Sequence, residues 1–189
     1  MAHVYCGTRR GEGQSKRQGF VLMDQAPLAS DNQAESSPAP TEPLTPCDKT
    51  RILIVDDEVR IREVFRLILS DGLPDCKIDV AANGKEALET FRTAHPAVVV
   101  MDLHMSVMDG QAAFMQLQKQ CKDNNWEMPS IIFCTGFAHP ETVRSIVVRN
   151  ATHCLLSKPV RGETLLNVVK SRMGALQTQN PSGMGVHPS

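Results

Sequence analysis

The chain has 189 residues, of which 41% are hydrophobic, with 20 Lys and Arg against 21 Asp and Glu and a formal net charge of -1 at pH 7. That length supports one domain of ordinary size, stable without disulfides or metal. The near-neutral balance offers no basic field to nucleic acid, and no stretch approaches the roughly 18 apolar residues of a membrane span, so a protein partner is expected.

Arg9, Arg10, Lys16 and Arg17 are followed by no apolar h-region, so the start reads as a disordered leader and not as a secretory signal. The stretch 31-DNQAESSPAPTEPLTP-46 carries too few large apolar side chains to offset the entropy of ordering it. Residues 1–48 are therefore expected to be a disordered tail, and the polar, unpatterned 176–189 a second one. Six cysteines are scattered without a C-x-x-C pair or zinc spacing, which predicts reduced thiols in a cytoplasmic protein; Cys134 and Cys154 read as small core residues.

From residue 49 to 175 the pattern changes to short apolar runs alternating with segments of helical period. The first run, 51-RILIV-55, is followed by a helix-period segment over 58–70, with Ile61, Val64, Phe65, Ile68 and Leu69 along one stripe. Next come 76-CKIDVA-81, where Lys77 and Asp79 suggest an edge strand, and a predicted helix over 84–94. The runs 97-AVVVM-101, 130-SIIFC-134 and 153-HCLLS-157 are nearly continuous, as parallel strands buried on both faces must be. Helical segments over 110–123, 140–150 and 161–175 separate or follow them. Five strands alternating with five helices predict a three-layer αβα sandwich around a parallel sheet.

Ligands of such sheets sit beyond the carboxyl ends of the strands. Those positions hold Asp56, Asp57 and Glu58 after the first run, Asp102 after the third, Thr135 and Gly136 after the fourth, and Lys158 and Pro159 after the fifth. Singly, each is ordinary: a carboxylate there is commonly a cap, and an acidic triplet complements a helix dipole. Together, three aspartates, a hydroxyl and an ammonium converge on one sheet edge. Neighbouring carboxylates repel unless a cation joins them, and Mg²⁺ meets that need while leaving room for an oxyanion. An aspartate carboxylate is also a nucleophile toward phosphorus.

The set 54-IVDDE-58, 101-MDLHMSVMDG-110, 134-CTG-136 and 157-SKP-159, in this order and spacing, resembles the receiver domain of two-component response regulators over roughly residues 50 to 173. The resemblance implies a flavodoxin-like strand order 2-1-3-4-5. It implies that Asp102 accepts a phosphoryl group and that Asp57, Asp102 and the backbone carbonyl of His104 bind Mg²⁺ directly, with Asp56 acting through metal-bound water. Thr135 would be the switch hydroxyl, Lys158 the partner of a phosphoryl oxygen, and Lys158-Pro159 a cis peptide. The expected donor is a histidine kinase or histidine phosphotransfer protein. The expected output is contact with a downstream protein, without enzyme activity beyond self-phosphorylation and self-dephosphorylation, and without nucleic acid or membrane.

The chain departs from the family pattern at three places. Ser106 stands where Pro is usual, which is expected to loosen the loop; Phe137 follows two after Thr135; and Leu155 occupies the place of a switching aromatic. With no output module read after the fifth helix, a stand-alone receiver is expected. A phosphorylation-independent scaffold on the same fold is the alternative. A phosphohydrolase with an aspartate nucleophile is disfavoured, because no D-x-D follows the first strand.

Overall fold

Alternating positions along each strand decide which helices the sheet faces. The computed structural model describes residues 4–6, 44–136 and 141–177. Its elements are β1 (Val4–Cys6), β2 (Asp48–Val55), α1 (Val59–Gly72), β3 (Lys77–Ala81), α2 (Gly84–Ala94), β4 (Pro96–Asp102), α3 (Gly110–Asp123), β5 (Ser130–Thr135), α4 (Glu141–Arg149), β6 (Cys154–Ser157) and α5 (Gly162–Gln177). Leu53, Val55, Val99, Met101, Ile131, Phe133 and Leu155 point to one face, where α2 and α3 add Leu88, Phe91, Phe114 and Leu117. Ile52, Ile54, Val98, Val100, Ile132, Cys134 and Leu156 point to the other, onto Phe65 and Leu69 of α1 and Leu165, Val169 and Met173 of α5. This is the three-layer sandwich that the sequence predicts.

The sheet order is β1-β6-β5-β4-β2-β3. Its five parallel strands, β3-β2-β4-β5-β6, have the 2-1-3-4-5 arrangement. β4 lies at the centre with all seven residues buried, which is why it reads as an unbroken apolar run. β3 is the wet edge that Lys77 and Asp79 announce. A sixth strand is unforeseen: β1 adds antiparallel to β6, with Val4, Tyr5 and Cys6 opposite Leu156, Leu155 and Cys154.

Composition alone assigns residues 44–48 to the tail, yet they are tied to the body. Thr45 N–H donates to the Asn125 carbonyl at 2.9 Å, and Glu127 N–H donates to the Thr45 carbonyl at 2.8 Å. Cys47 is buried, its N–H donating to Glu127 Oε2 at 2.8 Å and its thiol to the Glu127 carbonyl at 3.2 Å. Burial pushes the Cys47 thiol up to about 12 and that of Cys121 to about 11, so both stay protonated at neutral pH. Cys134 and Cys154 are core residues, as the apolar runs around them imply. Among the described residues, no helix is long and apolar enough to cross a membrane.

Candidate functional site

Parallel pairing in register carries the strand ends to one edge. Asp102 is the last residue of β4 and pairs with Cys134, while Thr135, the last of β5, pairs with Ser157. Asp56 follows β2 directly, its N–H donating to the Ala81 carbonyl at 3.2 Å. Carboxylate oxygens of Asp56, Asp57 and Asp102 lie within 4.8 Å of one another. Asp56 and Asp102 are buried, at 2% and 5% exposure, whereas Asp57 is exposed.

Each acid has a main-chain donor. Glu58 N–H donates to Asp56 Oδ1 at 2.9 Å, His104 N–H to Asp102 Oδ1 at 3.2 Å, and Ser106 N–H to Asp57 Oδ2 at 3.0 Å. The remaining oxygens of the two buried acids share one cation: Lys158 Nζ donates to Asp56 Oδ2 at 2.8 Å and to Asp102 Oδ2 at 2.6 Å. Burial works against the ammonium, but hydrogen bonds and charge from Asp102 and Asp56 outweigh it and hold the Lys158 pKa above its usual value. Lys158 itself is placed by its backbone, whose N–H donates to the Thr135 carbonyl at 2.7 Å, and by a cis bond to Pro159.

The loop after Asp102 returns tightly. Gly110 N–H donates to the Leu103 carbonyl at 3.1 Å, and a Cβ on Gly110 would run into the Asp102 carbonyl oxygen. Close approach, not a left-handed backbone, is therefore why glycine stands there. Asp109 begins α3 by accepting the Ala112 N–H at 2.7 Å. Within the loop Val107 has φ 67°, a left-handed conformation that is costly for a β-branched side chain. The Thr135 hydroxyl, in a residue 1% exposed, lies 3.4 Å from His104 Nδ1. An open cleft of about 290 Å³ lined by Leu103, His104, Met105, Asp109 and Gln111 adjoins this face.

The structure thus brings Asp56, Asp57, Asp102, Thr135, Lys158 and the His104 backbone together, while Phe137 lies outside the described residues. Ser106 behaves differently from the looser loop that its sequence predicts. A proline there would have no N–H, whereas the Ser106 N–H ties the loop to Asp57 across 49 positions. No sequence signal marks that bond, because any residue except proline supplies it. Arg62 is a second unforeseen support, its guanidinium donating to the Asp56 carbonyl at 2.5 Å.

The clustered oxygens suit a hard divalent ion. Among the described residues, three carboxylates face the one Lys158 ammonium at this edge, so a further cation is electrostatically welcome. Mg²⁺ fits the donor set, with Asp56, Asp57 and Asp102 as the acidic residues that could hold it.

Comparison with known proteins points one way. The family described as the response regulator receiver domain matches residues 52–170. Response regulator Rre1 of Synechocystis is 31% identical over 132 residues, covering 70% of this chain and 55% of that protein. A protein-glutamate methylesterase/protein-glutamine glutaminase of Methanosarcina acetivorans is 43% identical over 86 residues, covering 45% of this chain and 23% of that protein. The chain therefore spans between about a quarter and somewhat over half of these two relatives. Among solved structures, a CheY-like receiver domain protein of Methanospirillum hungatei has TM-score 0.57 at 24% identity, over 69% of this chain and 98% of that one. CheY4 of Vibrio cholerae has TM-score 0.53 at 30% identity, over 65% of this chain and 98% of that one.

Proposed function

The chain belongs to the response regulator receiver domain family, and from that premise we propose that it is a phosphorylatable signalling switch or phosphorelay shuttle whose acceptor is Asp102. The observation that carries this reading is the Lys158 ammonium bridging Asp56 and Asp102 beside the Asp57 carboxylate. Asp102 supplies the carboxylate oxygen that attacks phosphorus; as the new O–P bond forms, the P–N bond of a phosphohistidine donor breaks. His104 N–H and Lys158 hold the Asp102 carboxylate in one orientation, which is the positioning that phosphoryl transfer chiefly needs. Lys158 then neutralises one oxygen of the transferred group, and the Thr135 hydroxyl turns from His104 to donate to another. A bound Mg²⁺ would supply charge neutralisation for the transferring group.

The donor is a histidine kinase or histidine phosphotransfer protein, the setting is the cytoplasm, and the output is a surface read by another protein. On this reading the chain acts on no diffusible substrate beyond its phosphodonor. Incubation with acetyl phosphate and Mg²⁺ tests it: intact-mass spectra gain one phosphoryl group on wild type and none on Asp102→Asn. No gain on wild type, or an equal gain on the variant, overturns the reading.

A phosphorylation-independent scaffold is the second reading, and Leu155 favours it. This residue is 1% exposed, pairs with Phe133, and lacks the ring whose rotation reports activation in the family. Capture of binding proteins with and without a beryllium fluoride adduct separates the two readings. A switch changes its captured set, and a scaffold does not.

A further inference from the structure

The two edges of the parallel sheet are built differently. β3 carries Lys77 and Asp79 and is partly exposed, and charge of that kind keeps an open edge from pairing with foreign chains. β6 reads Cys-Leu-Leu-Ser: it has no charge and no proline, and its first three residues are buried. An uncharged apolar strand at a sheet boundary needs a cover, since its outer N–H and C=O groups form a template for any extended peptide. β1 is that cover, pairing antiparallel with Cys154–Leu156 and lying against α4 as well.

The cover is held weakly. β1 has three residues and so few ladder hydrogen bonds to set against the entropy of ordering it on an edge far from it in the sequence. Beside the covered edge, Arg144, Val147, Val148 and Leu155 help line a cleft of about 260 Å³, in which Val148 is 75% exposed. Departure of β1 would open the β6 ladder next to this apolar cleft.

We propose that Val4–Cys6 is a displaceable intramolecular cover of the β6 edge, and that this edge is a docking surface for an extended, uncharged, β-prone segment of a partner protein. Such a segment pairs antiparallel with residues 154–156, as the chain's own Val-Tyr-Cys does. The cover makes the surface conditional, because a partner gains the edge only at the expense of β1.

The full chain with Val4→Pro and Tyr5→Pro together tests this. Side chains and N–H groups alternate along a strand, so one of two adjacent prolines must remove a ladder donor whichever way β1 faces. Amide exchange in residues 154–157 should quicken by about tenfold or more in the variant, with β2, β4 and β5 unchanged. A labelled peptide of residues 1–10 should bind the variant at least about tenfold more tightly than wild type, whose edge is occupied. Unchanged exchange, equal peptide affinity for both proteins, or binding to neither overturns the proposal. Protection of β6 that vanishes on dilution of wild type also overturns it, because the strand would then be exchanged between two copies.

Discussion

Lys158 is the one described cation in contact with the two buried acids of the site, and removing it leaves Asp56 and Asp102 facing each other without compensation. Breaking a largely buried ion pair from one side costs about 3 kcal/mol. Lys158→Met should therefore lower the urea-unfolding free energy by roughly that amount, and millimolar Mg²⁺ should restore part of the loss because a cation again sits among the carboxylates. Because its pKa is raised when folded, the stability Lys158 lends is complete below its ordinary pKa of 10.5 and is lost only as pH rises through the raised value. Val107 shows the opposite situation. It is 80% exposed at φ 67°, so its side chain contributes little packing to set against the backbone cost. Val107→Gly should raise stability by about 1 kcal/mol, read as a higher urea midpoint at constant slope.

Between strands and helices, the tightest junction is where β4 turns toward α3. Gly110→Ala places a methyl group on the Asp102 carbonyl, so the end of β4 and the start of α3 must separate. The expected outcome is a loss of about 2 kcal/mol in stability and at least an approximately tenfold slower labelling of Asp102 by acetyl phosphate, measured by urea titration and timed mass spectra. The junction between α4 and β6 is controlled by His153, which is 2% exposed, packs edge-on against Phe114 and accepts the Ile131 N–H on Nδ1 at 3.1 Å. Burial, aided by the positive charge of Arg172, pushes its pKa from 6.5 down to about 4. Well above pH 6.5 the ring is neutral in both folded and unfolded chains, and it makes stability no function of pH there. As pH falls from 6.5 toward 4 the unfolded chain binds a proton that the folded chain refuses, so stability drops. Unfolding titrations should lose about 3 kcal/mol from this group across that window, a slope that His153→Gln should remove.

The five parallel strands and their helices were legible because burial on both faces leaves continuous apolar runs, and β4 ending on Asp102 marked the edge where the three aspartates gather. What escaped was whatever depends on main chain or on distant packing. β1 is three residues long in a stretch without periodicity, so its strand exists only because the β6 edge is there to pair with. The Ser106 N–H on Asp57 and the left-handed Val107 are backbone facts that side-chain identity does not announce. Cys47 looks like part of a polar tail until Glu127 is placed beside it. The site itself joins residues that are far apart in the chain: Lys158 meets Asp56 across 102 positions and Asp102 across 56. No fragment ending before Lys158 can hold Asp102 as the whole fold does, so a chain cut or stalled inside α4 carries Asp102 but not its cation. On the proposed phosphoacceptor reading, competence to receive a phosphoryl group waits until Lys158 has been made and placed, and a cut that frees the segment bearing it should abolish labelling of Asp102 by acetyl phosphate.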